Sequence, residues 1–471
     1  MNSPLSAPRS EPLLRRVIGR PQFFALAFGT IIGSAWLVVL NEWLDMAAPG
    51  GAVVAFMAGG AVLTLIAALY GELSARMPEA GGEFIYAYRT FGPLAGFVVG
   101  WVLLLYLVAV ASFEAIALGW MVQVVVPSFR GVVLYQVLGI SMNAGGLLLG
   151  VSGLVLVTYL NVRDVRIAVR FQTIVTFAFI GVAVGLLVAG ASKGHVDNLR
   201  PLFDLQAPRK TWWLGSLFIF ANSAFFLTGF QVIPQAIEER EKDMSTATIG
   251  RLMVVSVVAA TAFYCVAIVC SSLAAPWRIL AQTPLAPAEA LRHAFGHAFL
   301  SYVLIIAAAF SLLKTWNAVV LMAARLLMAL ARAGMVPAYL GAIHSDFATP
   351  SAAVYLVSTC TLMGLLLGKG AVLPLVNTSS ICLTFTFVVS CIALLRRRGG
   401  IDRPPGFRAF GGRIAVLSGA VCAAAMALIA LLSPLAQTKR GVPLEWVLMT
   451  IWLAVGIPVY LSRPRGRYVV R

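Results

Sequence analysis

The stretch FGTIIGSAW, residues 28–36, interrupts a run of Leu, Val and Ala with two glycines, a threonine and a serine. A helix packed wholly in lipid needs neither flexible backbone nor polar atoms there. The stretch therefore reads as a helix broken at bilayer depth, which is tolerated only where the unwound turn lines a cavity. The free N–H groups of Gly33, Ser34 and Ala35, opening the outer half-helix, then point at an anion such as a carboxylate. Gly29 and Gly33 also form G-x-x-x-G, a spacing that serves close helix packing. Thr30 and Ser34 favour the break, and so does a second interruption further along the chain.

The surroundings are those of a membrane protein. Of 471 residues, 60% are hydrophobic and 11% charged, too little polar surface for a soluble chain of this length. The apolar residues fall into about twelve blocks, each long enough to cross ~30 Å of hydrocarbon as a helix. The blocks run roughly over 22–45, 51–75, 93–125, 133–160, 167–190, 212–238, 247–275, 298–332, 352–369, 371–395, 412–433 and 443–462. This predicts an all-α integral membrane protein with about 12 transmembrane helices. With the amino terminus inside, roughly two-thirds of the Lys and Arg fall in loops on that side, which puts both termini in the cytoplasm. The net charge of +17 is thereby a topology signal, and no nucleic-acid partner is expected. The basic start, MNSPLSAPRSEPLLRRVIGRP, reads as a cytoplasmic tail and not a cleaved signal. The expected location is a plasma membrane of the bacterial inner-membrane kind.

The six cysteines lie in apolar segments and read as small buried hydrophobes. His293 and His297 share the i, i+4 spacing of a metal pair, but no acid accompanies them and Gly296 interrupts the turn. No metal or other cofactor is expected. With no paired catalytic carboxylates and no histidine within a span, enzymatic chemistry is not expected either.

Five spans after the first break, SLFIFANSAFFLTGFQVIPQAIEE (216–239) carries its own cluster of Asn222, Ser223, Thr228 and Gly229, then Pro234. Two interrupted helices at matching places point to an inverted repeat of five plus five spans. The chain then divides into a tail (1–20), a first repeat (21–191), a second repeat (192–396), and a final segment (397–471) with a cytoplasmic loop, two further spans and a C-terminal tail.

At these residues the sequence resembles the amino acid–polyamine–organocation (APC) permeases. GTIIGSAW (29–36) is similar to that family's G-x-x-I-G-x-G element, and YGELSARMPEAGGEFIYAYRTFGP (70–93) to the loop after its second span. FFLTGFQVIPQAIEE (225–239), LLKTWNAVVLMAARLLMALARAGMVP (312–337) and RPPGFRAFGG (403–412) resemble elements of spans 6, 8 and the loop after span 10. The resemblance implies a LeuT-type 5+5 inverted repeat plus two C-terminal helices, and secondary transport of an amino acid or related amine by alternating access. It implies that Thr30, Ile31, Gly33, Ser34 and Ala35 of span 1, with Phe225, Thr228 and Gly229 of span 6, hold the substrate's carboxylate and amino group. Phe225 matches the aromatic that closes over the ligand, a role Phe226 could fill equally. Spans 3, 8 and 10 would shape the side-chain pocket. Three departures stand out: Ala35 replaces the third glycine, Gln231 replaces an acid, and the span 5 lysine of some sodium-independent members is absent from FQTIVTFAFIG, where Phe179 or a neighbour stands.

Two ionisable residues, Glu114 and Lys314, lie near the middle of spans. Each costs ~2.5–3.5 kcal/mol or more there if unpaired, so each is a functional candidate. Lys314 is placed to do from span 8 what other members do from span 5, its ammonium filling a vacated cation site beside the carbonyls of broken span 1. It would couple transport to protons. Glu114 would either accept the proton or select a cationic group on the substrate; a structural Glu114–Lys314 pair is the bland alternative. Glu42 and Asp45 would draw cations to the mouth or simply end a helix. Glu72, Arg76, Glu238, Glu239 and Arg325 form a candidate inner gate with Phe225 above them, or else anchor helices at the interface. Pro287 to Leu291 suggests a short outer lid helix. The reading is a sodium-independent, proton-coupled amino acid permease. Its alternatives are a polyamine or organic-amine transporter, a substrate exchanger, and a non-transporting amino acid sensor. The expected partners are substrate, proton and lipid bilayer, with spans 11 and 12 available for a homodimer contact.

Overall fold

A computed structural model describes residues 16, 18–137, 140–163, 165–204, 212–241, 243–399, 406–437 and 442–463. Most of the expected tail 1–20, the first residues of 403–412 and the C-terminal tail lie outside these ranges.

Helix α1 (Arg20–Ile31) is followed after three residues by α2 (Ala35–Arg76), which at 42 residues is twice the length a bilayer needs. Ala48, with φ 55°, and Pro49 divide α2 into two arms, because proline lacks the N–H and disfavours helical geometry at the residue before it. α1 with the first arm makes one crossing length, and the second arm makes the next. Then come α3 (Glu83–Phe91) and α4 (Pro93–Val125).

An antiparallel hairpin follows, β1 (Val133–Val137) paired with β2 (Ile140–Asn143). This corrects the span expected over 133–160, whose helix α5 (Ala144–Arg163) begins only at Ala144. Val133, Tyr135 and Val137 alternate along a strand, and the ladder is closed by Ala144 N–H donating to Val132 O at 2.9 Å. Tyr135 Oη, donating to Leu366 O at 2.7 Å, fastens the hairpin to a neighbouring loop. Twenty remaining residues suffice for the crossing.

The chain continues through α6 (Val165–Ser192), α7 (Trp212–Leu227), α8 (Val232–Gln235), α9 (Thr246–Ala274), α10 (Trp277–Ala281), α11 (Ala286–Phe295), α12 (Phe299–Arg332), α13 (Ser351–Leu365), α14 (Val372–Arg398), α15 (Gly412–Gln437) and α16 (Leu444–Leu461). The short helix expected at 287–291 falls in the first half of α11. Among the described residues ten helical stretches are long and apolar enough to cross a membrane, and α13 is a shorter apolar helix. The protein is an all-α, multi-span membrane protein carrying one small hairpin among its described residues.

α2 packs on α7 and α9, α4 packs on α12 and α14, and α6 touches α1, α9 and α12. α1 and α12 meet in the middle. Because α4 runs from α3 to the hairpin, the bundle has two ends, called below the α3 side and the hairpin side.

Candidate functional site

The first break spans residues 32–34. α1 stops where Ile32 N–H caps back onto Phe28 O at 2.8 Å, and α2 resumes at Ala35. Breaking a helix orphans carbonyls that cannot stay bare when buried. Side chains take them. Lys314 Nζ donates to Gly29 O, and to Ile32 O at 2.7 Å. Tyr264 Oη donates to Ile31 O at 3.0 Å. Lys314 is fully buried, with its ammonium 5.6 Å from the centre of the Phe179 ring. On the other side of the break, no backbone carbonyl among the described residues accepts from Gly33 or Ser34 N–H, and the buried Ser34 Oγ has no partner.

The second break separates α7 from α8. Gly229 adopts φ 146°, and a Cβ there would lie 2.7 Å from Ile31 N and 2.9 Å from the Thr30 carbonyl carbon. Only glycine allows this approach, so the two unwound turns touch. Gln231 Oε1 accepts from Gly229 N–H at 2.9 Å and holds the turn. The two glycines of the first break divide their labour. A Cβ on Gly29 would come within 2.2 Å of Thr176 on α6, so this position serves packing, while Gly33 faces Thr315 and Glu114.

Between the breaks lies a cavity of ≈ 20 Å³, room for about one water. Thr30, Ile31, Gly33, Ala35, Glu114, Phe225 and Thr228 line it; Ser34 and Gly229 stand in the turns behind it. Tyr106 and Val110 of α4, Phe226, Tyr264 of α9, and Thr315 and Val319 of α12 complete the wall. Apart from Phe226, already an alternative to Phe225, none of these stands out in the sequence, since aromatic and β-branched residues within apolar spans look like ordinary core. Glu114 is buried, and its Oε2 has no partner. Among the described residues no direct ion pair joins it to Lys314. Phe225 packs edge-on against Phe113 at 5.5 Å and Phe226 at 5.0 Å. Phe226 also borders a second cavity of ≈ 40 Å³ with Glu42, Trp43, Asn222 and three residues of α14. That second cavity is where span 10 contributes.

At the α3 side the charged residues form two networks. Glu72 binds Arg76 at 3.0 Å, Arg398, and Ala409 N–H at 3.1 Å, tying α2 to α14 and the loop before α15. Arg325 on α12 binds Glu239 at 2.6 Å with both groups buried, while Glu238 binds Arg332 at 3.1 Å and accepts from Ala80 N–H. Ile18, just before α1, exchanges backbone bonds with Glu239 and Glu241. Here the structure adds Glu83, a buried acid of α3 in a stretch where two Arg and two Glu balance. It accepts from Gln235 Nε2 of α8 at 3.2 Å, its other oxygen has no partner, and burial pushes its carboxyl up to about 7.

Discontinuous helices meeting at a closed polar cavity in the middle of a membrane bundle define the class of secondary transporters. The chain belongs to the amino acid permease family, whose profile matches residues 18–455. It is 24% identical to the methylthioribose transporter of Bacillus subtilis (strain 168), over 98% of this chain and 96% of that one. It is 26% identical to the human Asc-type amino acid transporter 1, over 83% and 73% of the two chains. To the branched-chain amino acid permease BcaP of Bacillus subtilis (strain 168) it is 23% identical, over 98% and 96%. The protein is a transporter of the APC type and not an enzyme.

Proposed function

We propose that this protein moves an amino acid across the membrane by alternating access, without sodium and coupled to protons. One observation carries the substrate class: the cavity presents opposite polarities on its two walls. The unpaired N–H of Gly33 lies on one wall, backed by the N–H and Oγ of Ser34 in the turn behind it, and the Glu114 carboxylate stands on the other. A helix N-terminus favours a carboxylate and Glu114 favours an ammonium group, which together suit a zwitterion. Gly33 and Ser34 would hold the carboxylate. Thr30, Ile31, Ala35, Thr228 and Gly229 would frame it, with Phe225 closing above. The small cavity volume supports an occluded state, so these aromatics must move before a ligand enters.

Sodium independence rests on Lys314. Its ammonium bonds two carbonyls of the first break, the oxygen-lined position at which a monovalent cation would otherwise bind. The proposed proton carriers are Lys314 and Glu114. The inner gate is assigned to Glu239–Arg325 and Glu238–Arg332, with Glu72 and Arg76 steadying α2. The positive-inside distribution supports cytoplasmic termini, a cytoplasmic α3 side and an inner-membrane location.

The test is thermal stabilisation of the purified protein by a panel of amino acids, amines lacking a carboxylate, and methylthioribose, at two pH values and with or without sodium. A ligand at 100 times its dissociation constant adds about 2.7 kcal/mol. Sodium-independent stabilisation by an α-amino acid is expected. Stabilisation by amines alone would move recognition from the α2 N-terminus to Glu114. A response to methylthioribose alone would refute the amino acid reading.

A further inference from the structure

Away from the central site, a cavity of ≈ 250 Å³ opens at the hairpin side between α4, the β-hairpin and the loop joining α13 to α14. Three glycine contacts build it. A Cβ on Gly145 would lie 1.6 Å from Phe129 O, one on Gly146 would lie 2.6 Å from Gln123 Nε2, and Gly368, at φ 67°, sits against Met142. Its polar lining is Gln123, Arg130, Ser141, Asn143 and Lys369. Every one of these side chains can donate a hydrogen bond, and no acid lines the cavity. Lys369 is held with its ammonium 4.2 Å from the centre of the Trp120 ring, and it feels the like charge of Arg130 as well as the opposite charge of Glu42, which borders the neighbouring cavity.

Two cations gathered over hydrogen-bond donors, with no acid among the described lining residues, form a site that favours an anion. The source of that anion is indicated by the cavity's rim. Val132, Val133, Leu134 and Ile140 of the hairpin region are exposed, as is Phe129 beside Arg130. An apolar, strand-forming rim beside a cationic pocket suits the boundary between head groups and acyl chains, where a guanidinium and an ammonium can meet a phosphate by charge-assisted hydrogen bonds. We propose that this cavity binds the phosphate of an anionic phospholipid in the leaflet on the hairpin side, with Arg130 and Lys369 on the phosphate and the exposed hairpin residues against the chains.

The experiment is native mass spectrometry of the full-length protein titrated with phosphatidylglycerol, compared with phosphatidylcholine and with inorganic phosphate. Wild type, Arg130→Gln, Lys369→Gln, the double variant and Lys369→Arg are followed in parallel. We expect one phosphatidylglycerol retained on wild type and on Lys369→Arg, with affinity falling about tenfold in each single Gln variant and that molecule lost in the double variant. Size-exclusion profiles confirm that the variants are folded, which is expected because both side chains are exposed. Equal phosphatidylglycerol retention by wild type and the double variant would overturn the site. Retention of inorganic phosphate as tight as that of lipid, lost in the double variant, would overturn the lipid assignment in favour of a free-phosphate site.

Discussion

Lys314→Ala separates structural from coupling roles because the two predict different magnitudes. The substitution removes the donors to Gly29 O and Ile32 O. Leaving two buried acceptors unsatisfied costs about 1–3 kcal/mol each. The variant also no longer holds a charge at bilayer depth, a relief of about 2.5–3.5 kcal/mol. The terms nearly cancel, so the net loss should be no more than about 3 kcal/mol, and the protein should remain folded with a modestly lower Tm. The space vacated is bordered by the same two carbonyls and by Thr315 Oγ1, which lies 3.5 Å from Gly29 O. These oxygens suit a sodium ion. The assay pairs thermal unfolding, with and without sodium, with uptake into proteoliposomes under an imposed pH gradient. Expected are substrate binding retained, loss of proton-driven uptake, and a sodium-dependent rise in Tm that wild type lacks. An unchanged pH dependence of uptake in the variant would refute the coupling role, whatever happens to stability.

Glu83→Gln tests the buried acid of α3. The folded carboxyl is near 7 and an unfolded one near 4.5, so wild type should lose stability as pH rises from about 4.5 to about 7, by up to about 3 kcal/mol. The variant should lack that slope, and parallel curves would refute the assignment. Gly229→Ala drives a Cβ into the backbone of the other break and should abolish uptake and lower the folded yield. Gly181→Ala, where a Cβ meets open space, should do neither; equal tolerance at both positions would contradict the contact between the breaks. Arg325→Met strands the buried Glu239 and should cost about 3–5 kcal/mol. Arg325→Met with Glu239→Gln should recover part of that, and a double-mutant cycle with no coupling energy would show that the pair is not formed.

The spans and the two breaks were legible because lipid imposes strong rules. Apolar length marks a crossing, and Gly33-Ser34 and Thr228-Gly229 inside one mark unwound backbone, whereas Asn222 and Ser223 of the second cluster stay helical in α7. Lys314 and Glu114 stood out for the same reason: charge is rare where hydration is absent. The hairpin was hidden because residues 133–143 are as apolar as the helix that follows, and periodicity is hard to read in so short a run. Tyr264 was hidden differently. Its hydroxyl caps an orphan carbonyl 233 positions away, a pairing created only by the packing of α9 on α1. The partners of Arg325 were ambiguous because Glu238 and Glu239 are adjacent and only the 3₁₀ turn after α8 decides which acid turns inward. Glu83 drew no attention because its stretch carries charges of both signs, whereas the fold of α3 buries it against α8.

In the proposed cycle, these ties let one proton control a moving half-helix. α1 is held at its start by the backbone exchange of Ile18 with Glu239 and Glu241, which joins its approach segment to the 3₁₀ turn after α8. That unit is tied to α12 at two levels: the Arg325–Glu239 pair near the α3 side, and the Lys314 ammonium at the break. The ion pair is a latch between charges that both remain when it opens, provided water reaches them. The lysine is different, because neutralising it weakens both bonds to α1 without requiring water at the break. Charge-assisted bonds are roughly twice as strong as neutral ones, so loss of one proton loosens the upper tie while leaving its geometry in place. In the proposed cycle, α1 and α8 would swing from α12 only after that proton departs. The break in α1 is what makes such a swing local: with no helical bonds across residues 32–34, the first arm of α2 can stay packed while α1 moves.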